Sequence, residues 1–322
     1  MIDSYALAKL CGVSRGTVDR ALNGRAEVSE KTKSRILRMA AKHGYKPNEL
    51  GRALVTGRTM TVGVIVFDLA NSFFTEIVSA LEASLREMGY RMLLSLSQKD
   101  SALEIESIDY FAQKKVDGLV LMPCSRADDV GRHLKSFSGP VVTFGNRLPP
   151  VSFIGIDERA AIRDAVLHAV SKGYRHIIYY CPPMRHKGSM NLWAQEERYA
   201  GFAAVAEGAA VSHESIIDGA QIEKLIAGGF SGRTAVICSN DIYAIELLRH
   251  AESSGRCIPR DFGLIGFDNI APLAYIKPRI TTVAYPTENT GRALAAKLLA
   301  LMKKDAAAEG TIVHEIVPGE TL

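Results

Sequence analysis

The feature that most constrains this sequence is an alternation of short apolar runs with helical patterns that begins at Thr61. The run Thr61–Phe67 is rich in β-branched residues, which is typical of a strand buried on both faces of a sheet. Similar runs recur as far as Thr281–Ala284, mostly separated by segments of helical periodicity. Strands that alternate with helices predict parallel α/β sheets. Because residues 61–322 are too many for one such sheet, we expect two doubly wound subdomains with a cleft between them.

The first 46 residues differ in texture and predict three short helices packed in one small bundle. Asp3 or Ser4 suits the start of the first helix, and Ser14 and Ser29 suit the starts of the next two, because these residues accept hydrogen bonds from free backbone N–H groups. Gly12 permits a sharp turn between the first two helices. The segment therefore predicts an all-α head that contains a helix-turn-helix.

The second helix of this head presents a polar outer face. Arg15, Gly16 and Arg20 point outward once the apolar positions are packed inward. Such a helix fits the major groove of DNA, where an arginine can make a paired contact to guanine. An ordinary three-helix cap would leave the same pattern, so the helix pair alone keeps both interpretations open.

The charge distribution separates this head from the rest of the chain. Residues 1–60 contain 12 Lys or Arg and 5 Asp or Glu, whereas residues 61–322 contain 27 and 30, which gives net charges of +7 and −3. A basic head on a nearly neutral body indicates a local contact with a polyanion. A solvated basic surface would also explain the charge.

Other sequence features exclude several protein classes. No stretch of about 18 uninterrupted apolar residues is present, so we expect no membrane span. The segment Met1–Ser4 does not begin a secretory signal pattern. The five cysteines are far apart and form no Cys-x-x-Cys pair, which argues against a disulfide framework or a zinc site. We therefore expect a cytoplasmic protein with reduced thiols.

An enzyme and a secreted sugar-binding protein are the two alternatives for such α/β sheets. The dinucleotide, phosphate-loop and nucleophile-elbow motifs are all missing, and the eight histidines are scattered. The sequence therefore predicts no enzyme, no cofactor and no metal. The missing signal and the basic head argue against a secreted binding protein.

Polar residues follow several of the predicted strands. In open α/β sheets, ligands bind beyond the carboxyl ends of the strands. Carboxylates and amides beside aromatic rings suit a polyhydroxylated ligand. Any single one of these residues also fits a loop cap. The candidates are Asp68, Asn71, Ser72, Phe73, Phe74, Asn146, Arg147, Asp157, Asn240, Asp241, Asp268 and Asn269.

The head carries a long specific pattern between Ala8 and Asn23: Ala-x-x-Cys-Gly-Val-Ser-x-x-Thr-Val-x-Arg-x-Leu-Asn. It is followed by Val28-Ser29-x-x-Thr32 and Gly44-Tyr45-x-Pro47-Asn48. These motifs resemble those of the lactose-repressor (LacI/GalR) family of bacterial transcription regulators, and the resemblance continues to about residue 302.

The resemblance implies a domain plan. Residues 1–46 are expected to form the helix-turn-helix domain, 47–60 a hinge helix and linker, and 61–322 an effector-binding and dimerisation domain of the periplasmic-binding-protein-like fold. Its N-subdomain would span about 61–157 plus about 284–302, and its C-subdomain about 158–283 plus the C-terminal segment. Since no heptad helix follows Pro318, a homodimer is favoured over a tail-built tetramer.

The resemblance also implies DNA contacts. The hinge is expected to be loose without DNA and to fold when two subunits meet, with Leu54 wedged into the minor groove. Gly16 supplies no base-reading side chain, so specificity should rest on Arg15 and Arg20. Gly51 replaces a usual alanine, which costs about 1 kcal/mol of helix propensity. The expected contacts are Ser14, Arg15, Gly16, Thr17, Arg20, Asn23, Asn48, Arg52 and Leu54.

For the sensor, the resemblance implies a small polar effector, with a sugar or sugar derivative as the first choice. Trp193 could stack on a sugar or serve in packing, and Tyr285 stands where the family usually has glutamine. The expected effector contacts are Phe73, Asn146, Arg147, Asp157, Trp193, Arg198, Asn240 and Asp268. The implied function is a repressor that binds a palindromic operator as a dimer. Whether the effector is an inducer or a corepressor stays open.

Overall fold

The computed structural model describes residues 2–22, 27–45, 49–181, 190–208, 211–305 and 310–322. Within helices, the side chains of Glu49, Leu50, Arg52, Val55 and Ala206 also lie outside the description. The chain divides into two compact units, Met1–Thr59 and Met60–Leu322. None of the helices in the described ranges has the length and apolar character needed to cross a membrane.

The first unit contains the predicted three-helix head, with α1 at Ser4–Cys11, α2 at Arg15–Leu22 and α3 at Glu30–Lys42. The Asp3 carboxylate accepts a hydrogen bond from the N–H of Ala6 at 2.7 Å, which caps α1. Gly12 ends α1 with a φ of 60°, as the tight turn requires. A small apolar core holds the three helices together, and its most buried members are Leu7, Val18 and Ile36.

The same unit continues into a short helix in the predicted hinge. This helix, α4, spans Glu49–Thr56. The Leu54 side chain on it is 85% exposed.

The second unit is built on two six-stranded sheets. The sheet of the first lobe has the order β11-β5-β4-β3-β1-β2, and its paired strands are all parallel. Helices α5, α6, α7 and α12 pack against this sheet or against one another. The strands are β1 Thr61–Val66, β2 Arg91–Leu96, β3 Gly118–Leu121, β4 Val141–Phe144, β5 Ser152–Gly155 and β11 Gly310–Thr311, and the helices are α5 Ser72–Glu87, α6 Ser101–Gln113, α7 Ala127–Ser136 and α12 Thr287–Met302.

The sheet of the second lobe has the order β12-β10-β9-β8-β6-β7, and only its edge strand β12 pairs in the antiparallel direction. This confirms the prediction of two doubly wound, mainly parallel sheets. The strands are β6 His176–Tyr180, β7 Ser212–Ile216, β8 Thr234–Cys238, β9 Gly263–Asp268, β10 Thr281–Ala284 and β12 Glu315–Val317, and the helices are α8 Glu158–Ser171, α9 Trp193–Gly208, α10 Gly219–Gly228, α11 Asp241–Ser253 and a 3-10 helix at Ala271–Tyr275.

Between the described elements, the chain passes from the first lobe to the second after β5, back to the first lobe after β10, and to the second again after β11. The C-terminal strands are therefore divided, because β11 completes the first sheet and β12 the second. Both sheets carry almost fully buried strands at their centres, such as β3 and β8, as expected of parallel sheets covered by helices.

A buried carboxylate joins three elements of the second lobe. Asp241, at the start of α11, accepts hydrogen bonds from Thr282 Oγ1 of β10 at 2.6 Å and from the N–H of Ile270 at 2.9 Å. Gly266 of β9 leaves the space that this carboxylate occupies, since a Cβ atom there would overlap Asp241 Oδ1. The glycine is therefore required by close packing.

Gly266→Ala is expected to lower the free energy of unfolding by about 2–4 kcal/mol, because the added methyl group must displace buried Asp241. The measurement is urea unfolding followed by the fluorescence of Trp193, the only tryptophan in the sequence. Gly131→Ala is the matched control. Gly131 lies within α7 with open space at its Cβ position, so alanine should stabilise by about 0.5–1 kcal/mol. Equal effects of the two substitutions would contradict this prediction.

Candidate functional site

A cavity of about 320 Å³ lies between the two lobes, at the carboxyl ends of the strands. Its walls combine aromatic rings, amides and charged groups, as in pockets for small polar ligands. The charged residues in the lining are Asp68, Lys99, Glu158, Arg198 and Asp268. Of the predicted effector contacts, the cavity brings together Phe73, Asn146, Arg198, Asn240 and Asp268.

A buried ion pair forms one wall of the cavity. Arg198 Nε donates to Glu158 Oε2 at 2.7 Å, and Arg198 Nη1 donates to the carbonyl oxygen of Ser239 at 2.6 Å. The guanidinium carbon lies 3.6 Å from the ring centroid of Phe267. Burial opposes the charge on Arg198, but Glu158 and Asp268 outweigh it and raise the arginine pKa above its ordinary value. The site therefore contains a fixed, oriented cation.

Asp268 lies beside this pair in a rare backbone conformation. Its φ is 108°, and that of Asn269 is 54°. Residues other than glycine seldom adopt such angles, and those that do often belong to functional sites. Burial raises the pKa of Asp268 well above its ordinary value, although Arg198 and a hydrogen bond with Asn71 lower it in part. The Asp268 carboxyl group thus lines the cavity as a buried group that can form hydrogen bonds.

Aromatic rings also line the cavity. The rings of Phe73 and Tyr285 meet edge to face with centroids 4.9 Å apart, and Phe74 lies 5.4 Å from Phe73 in the same way. Phe73 and Phe74 belong to α5 of the first lobe, whereas Tyr285 follows β10 of the second. The ring contact therefore crosses between the lobes, and it offers an apolar surface to the face of a ligand.

Three predicted effector residues have other contacts, and the described lining of the cavity does not include them. The indole of Trp193 packs edge to face on Phe153 at 5.3 Å, and the Arg147 guanidinium lies over both rings at 4.6 and 5.2 Å. The Asp157 carboxylate accepts from the N–H of Ala160 and caps α8. These are packing and capping contacts, and a role in effector binding stays a prediction for all three residues.

Glu158 is the main site residue that the sequence pattern misses. It follows Asp157 directly, and the pattern favours the aspartate because it stands nearer the strand end. A physical signal was available, because a buried arginine requires an acidic partner. Gln195 and Lys99 also line the cavity without having been predicted. Among the described residues, no group of three or more His, Cys, Asp or Glu is arranged to hold a metal ion.

In the head, α2 presents the predicted outer face. Ser14 Oγ accepts from the N–H of Thr17 at 3.2 Å and lies 2.9 Å from Thr17 Oγ1, which fixes the start of the helix. Arg15 and Gly16 are exposed. Arg20 pairs with Glu27 at 3.1 Å, and such exposed pairs contribute little stability.

Three predicted DNA contacts fall outside the description. Asn23 and Asn48 lie outside the described residues. The backbone of Arg52 lies in α4, but its side chain is not described.

A helix-turn-helix head and a two-lobed α/β unit with a cleft define the class of DNA-binding regulators with a ligand-binding unit of the periplasmic-binding-protein type. Residues 5–48 match the model for bacterial regulatory proteins of the lacI family. Residues 166–322 match the periplasmic binding protein-like domain. The chain thus joins a head that matches the lacI family to a domain of the periplasmic binding protein-like type, and the similar proteins named below are transcriptional regulators.

Similar proteins support this placement over nearly the whole length. The catabolite control protein A of Priestia megaterium is 28% identical, with 96% of this chain and 95% of that protein covered. The ribose operon repressor of Bacillus subtilis is also 28% identical, covering 95% and 93%. Among solved structures, the lac repressor dimer bound to operator and the anti-inducer ONPF has a TM-score of 0.87 at 20% identity, covering 99% and 98%. A transcriptional regulator CelR–cellobiose complex has a TM-score of 0.69 at 25% identity, covering 100% of both chains.

The stability of the second unit should depend on pH through Asp241. Burial raises the pKa of this carboxyl from 3.8 to about 7, although hydrogen bonds from Thr282 and from backbone groups lower it in part. The folded state then binds more protons than the unfolded state, so the free energy of unfolding should fall as the pH rises from about 4 to 7, by about 4 kcal/mol at most.

Asp241→Asn should remove this part of the slope, because an amide stays neutral at every pH. If the amide itself destabilises the fold, it lowers the free energy of unfolding by the same amount at every pH. Urea unfolding at several pH values measures the slope, and Asp128→Asn on exposed α7 is the control with a wild-type slope. A wild-type slope in Asp241→Asn would refute the assignment.

Proposed function

We propose that this protein is a repressor that binds a palindromic operator as a homodimer and responds to a small polar effector, a sugar or sugar derivative. The observation that carries the proposal is the cavity with its buried ion pair, in the same chain as an exposed recognition helix. The proposal includes no cofactor. The effector would act by binding alone, so the two sites are coupled through conformation.

The head and hinge support operator binding. The exposed Arg15 at the start of α2 suits a paired contact to guanine in the major groove. Ser14 and Thr17 place hydroxyls at the same helix start, where contacts to phosphate position a recognition helix. The exposed Leu54 on α4 suits a wedge between base pairs in the minor groove.

The edge of the first sheet supports a dimer. Leu93, Leu94 and Leu96 on the edge strand β2 are 38%, 38% and 37% exposed. An edge strand with an apolar surface is a ready surface for pairing with another chain. The lac repressor, which shares the fold, forms a dimer bound to operator.

The cavity supports a polyhydroxylated effector. Arg198, Asp268 and Asn240 supply polar groups, while Phe73 and Tyr285 supply ring surfaces. Two similar solved structures hold sugars, namely cellobiose and D-xylulofuranose. Effector binding would shift the lobes against each other and so alter the spacing of the two hinges in the dimer.

The direct test is fluorescence anisotropy with a labelled palindromic operator, with and without sugars selected by a thermal-shift screen. An inducer would weaken operator binding, and a corepressor would tighten it. Equal binding of the operator and a scrambled duplex would refute the regulator, and operator binding unaffected by every sugar that stabilises the protein would refute the control by effector.

Arg15→Ala should reduce the preference for operator over scrambled DNA by about 1–3 kcal/mol, because the paired contact to guanine is lost. Weak, salt-sensitive binding to any sequence should remain. Arg35 lies on the exposed surface of α3. Arg35→Ala is the control, and it should weaken binding to both duplexes equally. Salt titrations of binding to both duplexes measure the difference, and an unchanged preference in Arg15→Ala would refute the assignment.

Asp268→Asn should leave operator binding intact and remove the response to effector. Asparagine tolerates a positive φ better than alanine does, so this substitution tests the carboxylate with the least backbone strain. Asp305→Asn at an exposed position is the control with a normal response. Titration of effector into the protein–operator complex measures the response, and a normal titration in Asp268→Asn would rule out this contact.

A further inference from the structure

The amide of Asn146 lines the cavity, but its hydrogen bonds are already made within the protein. Asn146 Nδ2 donates to the carbonyl oxygens of Pro123 at 3.1 Å and Asn191 at 2.9 Å. Its Oδ1 accepts from the N–H of Ala194 at 3.0 Å. An asparagine amide has two N–H donors, and here both are in use. Asn146 therefore has no donor left for an effector.

The side chain of Asn191, from the second lobe, bonds to the backbone of the first lobe and to its own segment. Its Nδ2 donates to the carbonyl oxygen of Arg147 at 2.8 Å, and its Oδ1 accepts from the N–H of Trp193 at 3.2 Å. Its own backbone N–H donates to the carbonyl oxygen of Cys124 at 2.8 Å. Asn146 and Asn191 are both buried, so the loss of either set would leave polar groups unpaired away from water.

These hydrogen bonds join the two lobes at one end of the cavity. The first-lobe partners, residues 123–124 and 146–147, follow strands β3 and β4. On the second-lobe side, residues 190–192 precede α9 and residues 193–194 begin it. Arg126 Nε adds a bond to the carbonyl oxygen of Met190 at 3.2 Å. The segment Met190–Gln195 also supplies cavity-lining residues from the second lobe.

The first-lobe side of this junction rests on a buried carboxylate. Glu104 Oε1 accepts from the N–H of Cys124 at 2.7 Å, and Glu104 Oε2 accepts from the N–H of Ser125 at 3.0 Å. Two such bonds to one carboxylate fix the loop after β3 firmly. The segment Met190–Gln195 is thus tied to a rigid support.

We propose that Asn146 and Asn191 form a clasp that holds the segment Met190–Gln195 over the cavity, and that effector enters and leaves when the clasp opens. The two asparagines are positioning residues, because the hydrogen bonds of both side-chain amides run within the protein. The inference rests on the proposed function, because it takes the cavity as the effector site. It assigns to Asn146 a different role from the effector contact expected of it.

Trp193 is the natural reporter of the clasp, since its backbone N–H is bonded to Asn191 and it is the only tryptophan in the sequence. Asn146→Asp loses both donated hydrogen bonds, and Asn191→Asp loses the bond to Arg147. Each buried hydrogen bond lost should shift the ratio of closed to open clasp by about tenfold. We therefore expect acrylamide to quench Trp193 at least about twofold more strongly in both variants.

Asn289→Asp on the exposed surface of α12 is the control with the same chemical change, and it should be quenched like wild type. If Asn146→Asp does not fold, Asn191→Ser replaces it, because serine cannot reach both partners. A purely structural role would lower the urea midpoint of unfolding and leave quenching of the folded protein unchanged. Wild-type quenching in the folded clasp variants would overturn the proposal.

Operator binding is measured on the same samples. If the wild-type protein does not bind operator, the proposed function is refuted, but the quenching result still tests the clasp. Wild-type quenching in the clasp variants with normal operator binding would refute the clasp alone.

Discussion

The buried ion pair between Arg198 and Glu158 is the interaction around which the second lobe and the cavity are arranged. It joins α9 to α8, and its remaining contacts reach the ends of β8 and β9 at Ser239 and Phe267. A buried guanidinium without this partner would cost several kcal/mol. The pair therefore fixes the charge of the cavity and the relative position of four elements. Asp268 then adds an acidic group whose pKa depends on the same arginine.

The two lobes meet through contacts of different kinds at the cavity. Phe73 and Tyr285 form an apolar edge-to-face contact between the lobes, and moving these rings apart breaks no hydrogen bond between them. Asn146 and Asn191 form directional hydrogen bonds that are either made or broken. An apolar contact and an all-or-none contact around one cavity suit a two-state sensor, in which a ligand shifts the population of the closed form.

Much of the fold follows from the sequence, since capping residues and apolar periodicity mark their elements directly. Two of the elements that the sequence does not reveal are polar ones at the surface. Strand β7, Ser212–Ile216, lies at a sheet edge with only its last residue buried, and α7, Ala127–Ser136, buries Val130. In the cavity, a position directly after a strand predicts Asp268, whereas Arg198 is expected only from the family resemblance. The roles of the other cavity residues cannot be predicted in this way. Only the three-dimensional contacts show that Glu158 and not Asp157 lines the cavity, and that the Asn146 amide already has hydrogen-bond partners within the protein.

The division of the C-terminal strands between the lobes has a consequence for synthesis. Strand β11 completes the first sheet, β12 the second, and α12 packs on α5 of the first lobe. Neither lobe is contiguous in the chain. Neither lobe can therefore complete its sheet before the ribosome has made nearly the whole chain. The three-helix head has its core within residues 2–45 and can fold as soon as it emerges. The nascent protein thus gains its DNA-facing surface well before it gains the cavity that would control it.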